Sequence, residues 1–318
     1  MTMRIAFVVD PLDTIKTYKD STFAMMVEAA GRGHSLYTLQ QDDLVFRDGK
    51  VFGYARPLQL TDDAHHWYLA REPEAPPLGQ FDAVLMRKDP PFDMEYLYST
   101  YLLELAEAQG ARVFNRPRAV RDYNEKLSTG RFPQFTVPTL VTRQGALIRD
   151  FLGAHGDIVL KPLDGMGGTS IFRIQRQDPN LSVILETMTQ HGRRTIMAQR
   201  FIPEIVQGDK RILLIDGTPA PYSLARIPKA GETRGNLAAG GTGVAQPLSA
   251  RDRKIAEGVG PALAAEGLLL VGIDVIGDYL TEINVTSPTC MQEIRQQTGF
   301  NVAAMMIDAL EAQCGKAS

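Results

Sequence analysis

The sequence predicts an α/β protein, with a parallel-sheet domain over residues 1–122 and a region of mixed α+β character from there to residue 318. Three observations carry this reading. The chain opens on a β-α-β pattern, its second half alternates short strands with turns and helices, and a ribbon near the C-terminus interrupts an apolar run with two acids and an amide.

Residues 4–9 form an apolar strand that stops at Asp10-Pro11. Asp20 and Ser21 can cap a helix over 22–30, which Gly31 and Gly33 end, and 35–39 reads as a second strand. Strands joined through a helix lie parallel. Residues 81–86 give another buried strand, running straight into Arg87-Lys88-Asp89-Pro90-Pro91. Ligands bind beyond the carboxyl ends of parallel strands, where this loop falls; the alternative is an ordinary solvated loop. A helix over 96–108 and a short strand at 113–114 complete the domain. Later strands are expected at 157–163, 170–174, 195–199, 211–215 and 221–226, with a helix at 181–189. The glycine-rich stretch 231–243 has no core-forming period and suits a lid.

At 318 residues the chain exceeds one ordinary core, which implies two or three domains. A net charge of −3 argues against a nucleic-acid surface. Cys290 and Cys314 are the only cysteines, so no disulfide framework is implied. The apolar run at the N-terminus is too short for a signal peptide or membrane helix, and a cytoplasmic enzyme is expected. His65 and His66 lack a third ligand, which argues against zinc.

Residues 157–168 run strand, Lys161, then Gly165-Met166-Gly167-Gly168. Glycines let backbone N–H groups approach phosphate oxygens, and the lysine adds a point charge. No Gly-Lys-Ser/Thr closes the loop and no Gly-x-Gly-x-x-Gly follows the first strand, so neither a Walker A nor a dinucleotide site is present.

Residues 270–285 read as two strands and a tight turn, with Asp274, Glu282 and Asn284 as the polar interruptions. Oxygen donors on neighbouring strands can hold a hard divalent cation. A two-residue loop at Gly277 and Asp278 would pair Asp274 with Thr281, on the face opposite Glu282. A three-residue loop through Tyr279 pairs Asp274 with Glu282, keeps Asn284 on that face, and gathers Ile273, Val275, Ile283 and Val285 on the other. The longer loop is therefore predicted. The alternative is a hairpin with one wet face.

Six segments give the chain a family resemblance: MRKDPPFD (86–93), NEKL (124–127), LKPLDGMGG (160–168), GDKR (208–211), LARIPKAGETRGNLAAGG (224–241) and VGIDVIGDYLTEINVTSPTC (271–290). With these the sequence resembles the bacterial glutathione synthetases, members of the ATP-grasp ligases. The last twenty or so residues add nothing to it. The resemblance implies a two-lobed ATP-grasp module, with a central lobe over 123–202, a C-terminal lobe over 203–318 and a lid at 227–243. It implies ATP-dependent ligation of γ-glutamylcysteine to glycine through an acyl phosphate, with Mg²⁺ (or Mn²⁺) and a dimer or tetramer. Another ATP-grasp carboxylate–amine ligase, or a non-catalytic ATP-binding module, is the alternative.

The resemblance also implies residue roles. Lys126, Lys161 and Gly165 to Gly168, Met166 included, would hold ATP phosphates. Gln199, Phe201 and Ile202 would meet adenine, and Asp209 the ribose. Asp274, Glu282 and Asn284 would hold the metal. Arg211 and Arg226 would be catalytic, and Arg87, Arg234, Asn236 and Ser287 would contact substrate. Cys290 reads as structural.

Overall fold

The structure, a computed structural model, describes residues 2–315 except 64, 65, 230, 233, 234 and 236–239. β1 (Arg4–Val8), α1 (Ser21–Gly31) and β2 (Ser35–Leu39) form the opening unit, and Asp20 caps α1 by accepting the Phe23 N–H at 2.7 Å. A small hairpin of β3 (Leu44–Arg47) and β4 (Lys50–Gly53) precedes β5 (Arg56–Leu60) and β6 (Tyr68–Ala70). β7 (Ala83–Met86), α2 (Met94–Ala108), β8 (Val113–Phe114) and α3 (Pro117–Asp122) follow.

The first sheet has the order β6-β5-β2-β1-β7-β8. Its four strands β2, β1, β7 and β8 are parallel as expected, but β5 and β6 add an antiparallel edge. The short link at 61–67 cannot carry the crossover that parallel neighbours require.

The central lobe comprises β9 (Thr139–Thr142), α4 (Gly145–His155), β10 (Asp157–Pro162), β11 (Phe172–Gln175), α5 (Leu181–Thr189) and β12 (Ile196–Arg200). Its sheet runs β11-β10-β12-β9, all antiparallel. Ile158, Leu160, Ile196 and Ala198 face both helices in a separate core. Strand alternation then turns Val159, Lys161 and Gln199 the other way, into a cleft.

The C-terminal lobe holds β13 (Asp209–Ile215), β14 (Thr218–Ile227), β15 (Thr242–Pro247), α6 (Ala250–Ala265), β16 (Leu270–Ile276), β17 (Tyr279–Asn284), α7 (Met291–Thr298) and α8 (Val302–Gly315). The sheet order is β15-β14-β13-β16-β17. Ile212, Leu214, Ile273, Val275 and Ile283 pack with Ile255, Val259 and Leu263 of α6.

The opening and C-terminal sheets share two apolar cores. Asn115 pins them together: it donates to the Leu270 and Val285 carbonyls at 2.7 and 2.8 Å and accepts the Leu270 N–H at 2.9 Å. The motif-free C-terminus is a packed helix: Met306, Ile307 and Leu310 are buried in one core with Met25 and Met26. Burial of this kind is worth about 1.5–3 kcal/mol per large apolar side chain. No helix of the described residues is long and apolar enough to cross a membrane.

Candidate active site

The ribbon turns in two residues, not three: Ile276 pairs with Tyr279, and Gly277 takes the positive φ, 56°, that a tight hairpin turn needs. The predicted pairing of Asp274 with Glu282 nevertheless holds, because a β-bulge shifts the register between Asp274 and Val275. Thr281 is the extra residue, and its hydroxyl donates to the Asp274 carbonyl at 3.1 Å. The turn prediction is thus corrected, while the three oxygen-bearing side chains keep a common face.

Across β13, β16 and β17, Arg211 lies opposite Asp274 and Asp274 opposite Glu282, so the three form one row. Gly272 leaves the row passable, since a Cβ there would sit 2.9 Å from Arg211 Cδ and 2.8 Å from Pro288 Cβ. Arg211 donates from Nε to Asp274 Oδ1 at 2.5 Å and from Nη2 to Oδ2 at 2.8 Å. Arg226, two residues along β14, bridges Asp209 at 2.5 Å and Asp274 at 2.8 Å. Burial works against charge on Asp274, but Arg211 and Arg226 outweigh it and hold the carboxyl well below its ordinary range.

Glu282 is half-buried, and Lys126 and Lys161 keep it below its ordinary pKa. The Ile283 N–H donates to the Glu125 carbonyl at 2.8 Å, which sets the NEKL segment against β17. Lys126 Nζ then reaches Glu125 at 2.8 Å, the Gly165 carbonyl at 2.7 Å and Glu282 at 3.5 Å. Burial and the Glu282 charge push Glu125 up to about 8. Sequence reasoning missed Glu125, although it stands inside the NEKL motif.

Two adjoining clefts meet here. One, enclosing about 820 Å³ between the lobes, is lined by Lys126, Lys161, Gly165, Gly167, Gly168, Gln199, Phe201, Ile202, Asp209 and Glu282. Lys161 is buried yet makes no hydrogen bond or ion pair with the described residues. Asp209 Oδ1 is buried without a partner, and burial raises that carboxyl to about 6 against the pull of Arg226. The other cleft, about 1330 Å³, is lined by Met166, Arg211, Arg226, Glu282, Asn284 and Ser287, with Lys16, Lys19, Asp20, Asp89 and Glu293. Of these, Lys16, Lys19 and Glu293 were not singled out from the sequence, because charges in the loop after β1 and on α7 carry no motif.

Arg87 is not brought to either cleft. Its Nε donates to Thr22 and its Nη2 to the Pro288 carbonyl, both at 3.0 Å, so two of its three nitrogens are engaged within the protein. Arg234 and Asn236 lie outside the described residues. Cys290 is buried beside the second cleft, and burial pushes its thiol up.

The donor set is two carboxylates and an amide on one strand face, with Asn284 Nδ2 3.4 Å from Asp274 Oδ2. Hard oxygen donors in that number suit Mg²⁺, which leaves remaining positions to water and phosphate. Among the described residues no group of three or more His, Cys, Asp or Glu offers a competing metal cage.

An antiparallel lobe and a second sheet gripping a cleft between them make this an ATP-grasp fold. Solved structures agree. A D-cycloserine synthetase matches with TM-score 0.69 at 16% identity over 98% of this chain and 99% of that one. An ATP-grasp RimK-domain protein from Sphaerobacter thermophilus matches with TM-score 0.64 at 19% identity, over 96% and 98%. The family is also shown, and the chain belongs to the prokaryotic glutathione synthetases. Residues 3–121 match the family profile "Prokaryotic glutathione synthetase, N-terminal domain", and 125–299 match "Prokaryotic glutathione synthetase, ATP-grasp domain". The glutathione synthetase of Nitrosomonas europaea is 67% identical over 97% of this chain and 98% of its own. That of Ralstonia nicotianae is 62% identical over 99% and 98%.

Proposed function

We propose that the chain joins γ-glutamylcysteine to glycine at the expense of ATP, giving glutathione, ADP and phosphate. Family membership along almost the whole chain supports the substrates. The observation that carries the nucleotide's place is Lys161, a buried lysine on the cleft face of β10 that makes no hydrogen bond among the described residues and meets only the charge of Glu282. A buried charge needs compensation, and a phosphate supplies it.

Lys126, Lys161 and the Gly165–Gly168 loop hold the phosphates, with Gln199, Phe201 and Ile202 around the base and Asp209 at the ribose. Asp274, Glu282 and Asn284 hold Mg²⁺, or Mn²⁺, which when bound neutralises phosphate charge. The cysteinyl carboxylate attacks the γ-phosphorus, ADP leaves, and an acyl phosphate forms. Glycine's amine then attacks the acyl carbon, phosphate departs and the amine loses its proton. Arg211 and Arg226 steady the oxyanion that develops between these steps. The lid expected over 227–243, much of which lies outside the described residues, would serve to exclude the water that hydrolyses an acyl phosphate.

Phosphate release tests this reading. It should require γ-glutamylcysteine, glycine, ATP and divalent metal together, and fall to background when any one is omitted. Equal turnover with an unrelated acid–amine pair would overturn it.

Two coarser expectations follow the same reading. The reaction belongs in the cytoplasm, a reducing compartment in keeping with two free cysteines. The working form is a homo-oligomer built on a two-fold dimer. Its support is the apolar stripe Met94, Tyr98, Tyr101 and Leu105 on α2, each 44–54% exposed. Such a stripe on one helix can meet its own copy across a two-fold axis.

A further inference from the structure

Met94 and Met166 are the exposed methionines among the described residues, at 54% and 45%; the others are buried or packed against a core. Met94 belongs to the α2 stripe. Met166 stands in the Gly165–Gly168 loop, where the second cleft meets a third of about 640 Å³. The third cleft is mostly apolar, with Phe92, Val120, Tyr123, Leu163 and Val285 in its lining. The Arg121 and Asn124 donors beside it are already engaged. Arg121 donates to Glu104 and Thr100, and Asn124 donates to the Leu163 carbonyl at 3.0 Å while accepting the Lys126 and Leu127 N–H groups. A thioether suits such a place, being apolar and polarisable, and an exposed one is open to oxidation. Its sulfoxide is polar, and costs free energy in an apolar lining that offers it no free donor. The two thiols compete less well for an oxidant, since Cys290 is buried and Cys314 partly so.

The loop can pass such a change on. The Gly165 carbonyl, on the residue before Met166, accepts from Lys126 Nζ at 2.7 Å. Gly167 follows at φ 64°, a left-handed conformation in which glycine's freedom lets the backbone swing. We propose that Met166 is a site of reversible oxidation by peroxide, and that its sulfoxide weakens nucleotide binding by drawing the loop away from Lys126. The sulfur lone pair attacks one peroxide oxygen, the O–O bond breaks and an S–O bond forms. The other oxygen leaves as water with both peroxide protons, so sulfur is oxidised by two electrons and peroxide reduced by two. A dithiol reverses the step, taking the oxygen off as water and becoming a disulfide. The consequence for turnover rests on the ligase reading above; the modification itself does not.

Hydrogen peroxide is the probe. Peptide mass spectrometry should find an added oxygen on Met166 before any on the buried methionines. ADP affinity by calorimetric titration should fall about 10-fold in the oxidised protein, and KM for ATP should rise by a similar factor. Met166→Leu, compared with its own untreated form, should keep its ADP affinity through the same treatment. Met94→Leu should lose affinity as wild type does. Met166→Gln, polar and of similar length, should show the weakened affinity without peroxide. Methionine sulfoxide reductases for both epimers, with dithiothreitol, should restore binding to the oxidised wild type, and dithiothreitol alone should not. Restoration by dithiothreitol alone would assign the loss to a thiol and overturn the proposal. So would an unmodified Met166 in protein that has lost affinity, or an equal loss in treated Met166→Leu. Untreated wild-type protein that binds ADP but never ligates would instead remove the ligase reading and leave the binding measurements standing.

Discussion

Arg211 grips both carboxylate oxygens of Asp274, and Arg226 adds a second guanidinium to Oδ2 at 2.8 Å. The three groups are buried on one strand face, so their charges compensate one another where water cannot. A metal that takes Asp274 as a ligand must displace these contacts.

Removing one competitor should therefore favour the metal. Arg211→Gln is expected to bind Mn²⁺ in the absence of nucleotide roughly 10-fold more tightly than wild type, a change of about 1.4 kcal/mol. Electron paramagnetic resonance of free Mn²⁺ measures this directly. Weaker or unchanged Mn²⁺ binding would show that Arg211 does not compete for Asp274.

Lys161 presents the opposite balance of stability and function. Its side chain is buried and makes no hydrogen bond among the described residues, with only the Glu282 charge to offset it, so Lys161→Met should change the stability of the ligand-free protein by no more than about 1 kcal/mol. The same change should weaken ADP binding about 10- to 100-fold. Urea denaturation and calorimetric titration read the two effects. Unaltered ADP affinity would remove Lys161 from the nucleotide site.

Glu107 links stability to pH. Burial, only partly relieved by Arg116, raises its pKa from 4.5 to about 7. A carboxyl whose folded pKa exceeds its unfolded one stabilises the fold below the unfolded value, and that stability is lost as pH rises through the folded value. Glu107 is half-buried, so the loss between pH 4.5 and 7 is discounted for solvent to about 1–2 kcal/mol. Glu107→Gln should flatten the stability curve across that window and leave the variant more stable than wild type at pH 8. Parallel curves for the two proteins would contradict this.

The stripe on α2 makes a prediction about mass. Tyr98→Glu with Leu105→Glu should convert an oligomer into a monomer in sedimentation at micromolar concentration, without loss of helix content. Charges in a closed apolar interface cost several kcal/mol, enough to dissociate a micromolar dimer. Persistence of the wild-type sedimentation coefficient would place the contact elsewhere.

Much of the fold was legible from apolar runs. β2, at 35–39, and α5, at 181–189, fall where alternation and capping put them. The β5–β6 edge was not, because Arg56–Leu60 carries a proline and two polar residues and gains its strand form only by pairing with β2. Nor was α8, whose helix matters through packing on α1 rather than through any motif. Within the site, the glycine loop and the oxygen donors were visible as residue types. Arg87 was equally visible, yet its partners Thr22 and Pro288 come from distant parts of the chain.

Sequence alone determined which donors the protein owns: a lysine on a strand ahead of clustered glycines, and two acids and an amide on one ribbon. Local spacing sets these, since side-chain alternation and glycine's backbone freedom act over a few residues. Tertiary structure decided how they meet. A bulge at Thr281 put Asp274 opposite Glu282, and lobe packing brought Lys126 and Lys161 to bear on Glu282. Coulombic attraction and desolvation act through space between groups far apart along the chain, so no stretch of sequence contains them.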